Sequence, residues 1–301
     1  MAEPRAVSRV VAVVATAALA VGVGVLAVLA LQRGEGAGAV GEATPAPTFT
    51  FGNQSTASPS PTPSASPDVA DPAAAATERF IAVDGSQVWR ATAGLCAPGD
   101  AAIAPVVEMS TDGGRTWATV TPPDARQVLN VAAFGESGQG EVIAATGDDC
   151  APTALRTYTA GRAWESYPDV LAASTYVTPA DRSSVIVAGA ASNAPCADAR
   201  SARTSRSNTG VVCDGTAYLL AGGTWTPLAE GAVALDAVSG TIVVARTSDA
   251  CDSGVAVTRF TGTTPSELGC ISDVDATTPA ALSLLDPDLV LWSADTIRGL
   301  D

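Results

Sequence analysis

Short runs of Val, Ile, Ala and Leu alternate with Gly, Asp and Ser turns from Glu78 onward, and they return in groups of four about every 45 residues. No long helical periodicity interrupts them, so the region reads as all-β. A group of four short strands cannot bury its apolar faces alone. It must stack against copies of itself, and four strands per repeat of this length is the pattern of a β-propeller blade. The first group is expected over Arg79–Val83, Gln87–Thr92, Val106–Ser110 and Thr116–Val120. The second is expected over Val128–Phe134, Glu141–Thr146, Ala154–Thr159 and Ala163–Tyr167. A third takes Thr175–Thr178, Ser184–Gly189, Thr216–Ala221 and Thr224–Leu228, with a long loop inserted after its second strand. A fourth takes Val233–Val238, Thr241–Arg246, Val255–Thr261 and an edge near Ser266. A fifth starts with Ala281–Leu285 and Leu289–Ser293 and lacks its outer strands. The expectation is a propeller of about five blades, the last incomplete. Thr48–Phe51, a strand-like stretch far upstream, is a candidate to complete it.

One turn is highly specific. Ser110-Thr111-Asp112-Gly113-Gly114-Arg115-Thr116-Trp117 resembles the Asp-box, or BNR repeat, at all five defining positions: Ser110, Asp112, Gly114, Thr116 and Trp117. The physical content is a tight hairpin. Ser and Asp side chains accept from backbone N–H groups, a Gly takes the positive φ, and the Trp lays apolar area over the turn. Degraded copies follow. Thr157–Trp164 keeps Gly161 and Trp164 without the Asp, and Gly222–Trp225 keeps Gly223 and Trp225. The resemblance implies a sialidase-like or photosystem-assembly-factor-like propeller. In a blade lettered a to d from the axis, the a–b and c–d turns share one face. The b–c loops and d–a connections share the other.

Six Cys is an even number, and Cys96, Cys150, Cys196, Cys213, Cys251 and Cys270 all map to the b–c and d–a face. The natural pairs are Cys96–Cys150, Cys196–Cys213 and Cys251–Cys270, although six Cys allow 15 connectivities. Disulfides of this kind suit an oxidising compartment. That stapled face is the expected working surface.

The N-terminal part reads differently. Residues 1–9 carry Arg5 and Arg9, and Val10–Leu31 is a stretch of 22 residues without a charge. As a helix it would measure roughly 33 Å, enough for a bilayer core. The Arg bias keeps the N-terminus in the cytoplasm and places the rest outside. A cleaved signal peptide is the competing reading, though its apolar region is usually shorter. Residues 32–77 are rich in Pro, Ser, Thr and Ala, a composition for a disordered stalk. The expected organisation is therefore 1–9 cytoplasmic, 10–31 transmembrane, 32–77 stalk and 78–301 propeller at the outer side of the cell membrane.

Charge narrows the function. The 31 acidic residues outnumber 16 basic ones, all Arg, for a net charge of −15. That field repels nucleic acid. The chain has no His, which excludes Ser-His-Asp and Cys-His catalysis and removes the commonest zinc ligand. Neither a metal nor another cofactor is expected. Arg200, Arg203 and Arg206 lie within the inserted loop between Cys196 and Cys213. They are read there as a basic finger for an anionic glycan, a wall polymer or an acidic envelope protein. Sialidases bind their substrate's carboxylate with three Arg and carry an early Arg-Ile-Pro motif. Here the corresponding region reads Arg79-Phe80-Ile81-Ala82, so a non-catalytic binding or assembly module is expected, with a divergent glycosidase as the alternative.

Overall fold

The computed structural model describes residues 72–135, 137–285 and 288–300. The expected anchor at 10–31, most of the stalk and Thr48–Phe51 lie outside these described residues. No helix among the described residues is long and apolar enough to cross a membrane.

The described chain opens with a short helix, α1 (Pro72–Ala76). Its last two residues are buried, and the Gly94 N–H bonds to the Ala76 carbonyl at 3.0 Å. Helix α1, ahead of Glu78, is thus docked on blade 1.

Six antiparallel sheets follow, each built from consecutive strands. Blade 1 is β1 (Arg79–Asp84), β2 (Gln87–Thr92), β3 (Val106–Ser110) and β4 (Ala118–Thr119). Blade 2 is β5 (Ala125–Ala133), β6 (Gly140–Thr146), β7 (Ala151–Thr157) and β8 (Glu165–Ser166). Helix α2 (Pro168–Ala173) leads to blade 3, which has three strands: β9 (Thr175–Val177), β10 (Ser184–Val187) and β11 (Ala190–Asn193). Blade 4 is β12 (Ala199–Ser205), β13 (Asn208–Cys213), β14 (Thr216–Ala221) and β15 (Thr224–Glu230). Blade 5 is β16 (Ala232–Val238), β17 (Thr241–Arg246), β18 (Val255–Thr261) and β19 (Thr264–Ile271). Blade 6 has three strands, β20 (Ala280–Leu285), β21 (Asp288–Ser293) and β22 (Thr296–Gly299).

The blade count is therefore six, not five. The region expected as a loop inserted into the third blade supplies β11, β12 and β13. Its Ala, Ser, Arg and Asn composition hides the strands, because β12 runs beside the axis, where small side chains fit. Ala199, Ser201 and Ala202 are buried there.

Blades stack face to face, so their second strands are covered on both sides and lose the usual alternation. Four consecutive buried residues in β6 and in β17 follow from this. One apolar cluster fills each of the six gaps between neighbouring blades. Trp89, Val128 and Val142 lie between blades 1 and 2, Leu129 and Tyr176 between 2 and 3, and Val185 and Val211 between 3 and 4. Leu219 and Leu235 fill the next gap, Val257 and Leu282 the one after, and Ile81, Val88, Ala281 and Trp292 the last. That last cluster closes the ring, together with hydrogen bonds from the Val83 N–H to Ser283 Oγ and from Arg79 to the Ala294 carbonyl.

Blade 3 runs in the opposite direction to its neighbours. Thr175, which opens β9, bonds through its hydroxyl to Thr204 near the end of β12 at 2.8 Å. The β9–β10 turn instead reaches the start of β12, where the Ala199 N–H bonds to the Arg182 carbonyl at 3.1 Å. Parity explains the reversal. A three-stranded blade leaves on the face opposite to its entry, and α2 provides the extra crossing beforehand.

The three disulfides pair as expected: Cys96–Cys150, Cys196–Cys213 and Cys251–Cys270. The first joins blades 1 and 2. The second joins the blade 3–4 connection to β13, and the third lies within blade 5.

Candidate functional site

The Asp-box turn has the bonding its residues predict. The Ser110 hydroxyl accepts from the Gly114 N–H at 2.8 Å and donates to Asp112 Oδ1 at 2.7 Å. Asp112 Oδ1 accepts from the N–H groups of Thr116 and Arg115 at 2.9 and 3.0 Å, and Oδ2 from the Thr116 hydroxyl at 2.7 Å. Gly114 holds φ 86°, where any other side chain is strained. In the degraded second copy Thr157 replaces the Ser and Thr159 replaces the Asp. Thr157 Oγ1 accepts from the Gly161 N–H at 3.0 Å, and Thr159 Oγ1 from the Ala163 N–H at 2.9 Å. Trp164 stands edge-on to Trp89 at 6.0 Å, and Trp117 lies under the Arg90 guanidinium at 3.8 Å. Gly223 takes φ 82°, and Trp225 donates its indole N–H to the Asn193 carbonyl at 2.7 Å. These turns hold the fold.

The bonds from Thr116, then Ser110 and Arg115, keep the Asp112 carboxyl well below the usual carboxylate range. A depressed folded-state pKa adds stability above the unfolded value, near pH 4, and that stability is lost as the pH falls through the folded value. The melting temperature of wild type should therefore exceed that of Asp112→Asn at about pH 6, and the gap should close toward about pH 2. A gap that stays constant would show that charge on Asp112 is irrelevant to the turn.

The three arginines expected in a loop instead lie along β12 and its turn, and they do not converge. Arg200 lines a cleft of about 340 Å³ with Glu78 and Arg79 toward the disulfide face. Arg206 sits in the β12–β13 turn with φ 57°, against Gly240. Arg203 lies between them, 8% exposed, and faces the axis. They form no finger.

The inner strands of all six blades instead enclose an axial cavity of about 580 Å³. Its lining comes from the later halves of β1, β5, β12 and β16, together with Glu141, Arg156 and α2. It therefore sits toward the face of the a–b hairpins, opposite the disulfides. The cavity thus lies away from the disulfide-stapled face, where the sequence places the working surface. At the other end Glu78, the residue before β1, reaches across the axis. It accepts from Arg182 of blade 3 and from the Ser201 N–H of blade 4, both at 2.8 Å, and Arg182 also binds Asp198. This network plugs the disulfide-face end.

Side chains join neighbouring inner strands around the cavity. Asn130 Nδ2 donates to the Thr175 carbonyl at 3.0 Å, and Thr175 donates to Thr204. Arg203 Nε stands 3.9 Å from Asp236 Oδ1. Asp236 Oδ2 accepts from the Leu284 N–H at 2.8 Å, and Ser283 Oγ accepts from the Val83 N–H at 3.3 Å. Burial pushes the Asp236 carboxyl up and the Arg203 guanidinium down, each only partly offset by the other. Two buried atoms of this wall have no hydrogen-bond partner among the described residues: Arg203 Nη1 and Asn130 Oδ1. Sequence patterning missed Asp236 and Asn130 because each sits in a strand whose other residues read as core.

On the cavity rim Arg156 is paired to Glu141 at 2.7 Å. Its guanidinium lies 4.9 Å from the Phe134 ring centre and 5.5 Å from that of Tyr167. Phe134 and the half-exposed Tyr158 meet edge to face at 5.7 Å.

The chain is a six-bladed β-propeller with an Asp-box in its first blade. No family model matches it. No curated protein matches it. Among solved structures, one described as YCF48 bound to D1 peptide is 16% identical, covering 74% of this chain and 78% of that one, with a TM-score of 0.39. The Aleuria aurantia lectin in complex with Fucalpha1-6GlcNAc is 11% identical over 72% and 88% of the two chains, with a TM-score of 0.42. Hadza microbial sialidase Hz136 is 10% identical over 74% and 51%, with a TM-score of 0.32.

Proposed function

We propose that this chain is a membrane-tethered binding module of the cell envelope whose propeller works outside the cytoplasm. The apolar segment Val10–Leu31, with Arg5 and Arg9 ahead of it, supports the tether. Three disulfides favour the outer compartment. The observation that carries the binding role is the axial cavity of about 580 Å³, whose lining brings together Arg156, Arg203, Glu141, Asp169 and Asp236. A ligand that enters from the hairpin face reaches it past the aromatic rim.

Photo-cross-linking in intact cells tests this. A benzoylphenylalanine at Tyr158, on the rim, should give discrete adducts that Asn130→Ala weakens. The same group at Ile103, exposed on the disulfide side, should give none. Adducts from position 103 alone would overturn the reading. The carboxylates of Glu141, Asp169 and Asp236 in the cavity favour a second reading, a divergent sialidase-type glycosidase. Turnover of an aryl sialoside that is abolished by Asp169→Asn would establish it instead.

A further inference from the structure

We propose that the outer edge of blade 6 docks an extended, basic segment of another protein, which adds to β22 as a fourth strand. This surface is separate from the axial cavity. An open sheet edge is a row of unpaired N–H and C=O groups, and folded proteins blunt such edges. Five of the six outer strands are blunted. β4 and β8 are two residues long. β15 carries Pro227 and β19 carries Pro265, each with a break in its register. On β11 the Asn193 carbonyl is taken by the Trp225 indole N–H. β22 has no proline, bulge or cap of this kind among the described residues.

The free groups follow from the hairpin. The β21–β22 turn holds two residues, Ala294 and Asp295, so the flanking pair Ser293 and Thr296 exchanges both bonds. Bonding then alternates along the strand. Thr296 and Arg298 face β21, while the N–H and C=O groups of Ile297 and Gly299 point away from it, in the plane of the sheet. Among the described residues no backbone group meets them.

Neighbouring blades 5 and 1, each of four strands, flank the seat beside β22. On the blade 1 side Ile297 packs with Trp117, and a Cβ on Gly114 of the Asp-box would stand 3.4 Å from Ile297 Cδ1. On the blade 5 side a Cβ on Gly269 of β19 would stand 3.5 Å from the exposed Leu300. Arg298 is turned to Asp273 at 3.9 Å, so its charge does not guard the edge. Charge selects the occupant. Asp273, Asp288 and Asp295 are exposed on and beside blade 6, and the chain carries a net charge of −15. A second copy would bring the same charge to the same edge, whereas a basic strand is drawn in. An alternating segment lays apolar side chains toward Ile297 and Trp117 and basic ones toward Asp273.

The test uses the full chain in detergent and fluorescein-labelled hexapeptides, with binding read by anisotropy. A peptide of alternating valine and lysine should bind at least about tenfold more tightly than one of alternating valine and glutamate. Gly299→Pro removes one outward N–H and no ladder bond, so the melting temperature should hold while binding weakens by at least about tenfold. In hydrogen exchange the lysine peptide should slow the amides of Ile297 and Gly299 and leave β11 unchanged. If the variant loses stability, the exchange pattern of wild type decides alone. Equal binding of the glutamate peptide would overturn the charge assignment. Amides at Ile297 and Gly299 that exchange as fast with bound peptide as without it would overturn the edge as the site. Amides already slow without peptide would mean that this chain fills its own edge, and a dimer that Gly299→Pro dissociates would mean that a second copy does. Either result would overturn the choice of partner.

Discussion

Excess thiol should unfold the propeller at room temperature. The three disulfides enclose sequence separations of 54, 17 and 19 residues. Loop-closure entropy assigns about 3–4 kcal/mol to each. Together that is on the order of 10 kcal/mol, comparable with the whole stability of an ordinary domain, about 5–15 kcal/mol. The check is a urea melt of oxidised and reduced chain, with Cys→Ser pairs to apportion the loss. Cys96→Ser with Cys150→Ser should cost the most, because that bond encloses the longest loop and ties two blades together. Coincident melts with and without thiol would mean that blade stacking alone holds the ring.

The second large effect is expected at Trp89. Its side chain is fully buried between blades 1 and 2, edge-on to Trp164, and it lies directly over Gly140. A Cβ at Gly140 would stand 2.5 Å from the Trp89 ring, so glycine there is a packing requirement. Trp89→Ala removes the largest buried side chain of the first gap and should cost about 3–5 kcal/mol. Gly140→Ala should destabilise through the clash. Combining Gly140→Ala with Trp89→Leu should lose less than the sum of the two single changes, since the smaller side chain vacates the space that the new methyl group needs. Additive losses in urea denaturation would show that the two residues are not coupled.

Much of this fold was legible in the residues themselves. The Asp-box fixed one turn, and the Val- and Ile-rich middle strands identified blades 1, 2 and 5. Cysteine positions on one face gave the three pairs. Blade 4 was obscured because its inner strand, Ala199–Ser205, reads as a polar loop. Near the axis there is little room, so Ala and Ser serve as core, and the buried Arg203 is offset by Asp236 from the next blade, with Glu78 adding to it. That pairing spans 33 positions of sequence and leaves no local pattern. The same is true of Asn130, whose neighbours Leu129 and Val131 dominate its strand. Seeing three arginines close in sequence suggested a shared purpose. The strand spreads them along the depth of the propeller and gives each a different environment.

The join between β20 and β1 has a mechanical consequence. Trp292 sits there between Arg79 and Arg90, with guanidinium groups 4.4 and 5.1 Å from its ring centre. Ile297 and Trp117 pack alongside. None of the disulfides crosses this join. The molecule is a split ring, held at this one slit by packing and hydrogen bonds with no covalent link across it. Parting at that slit would cost the Val83–Ser283 and Arg79–Ala294 hydrogen bonds and the burial of Trp292 but no covalent bond, so the fit of one tryptophan decides how firmly the circle is shut.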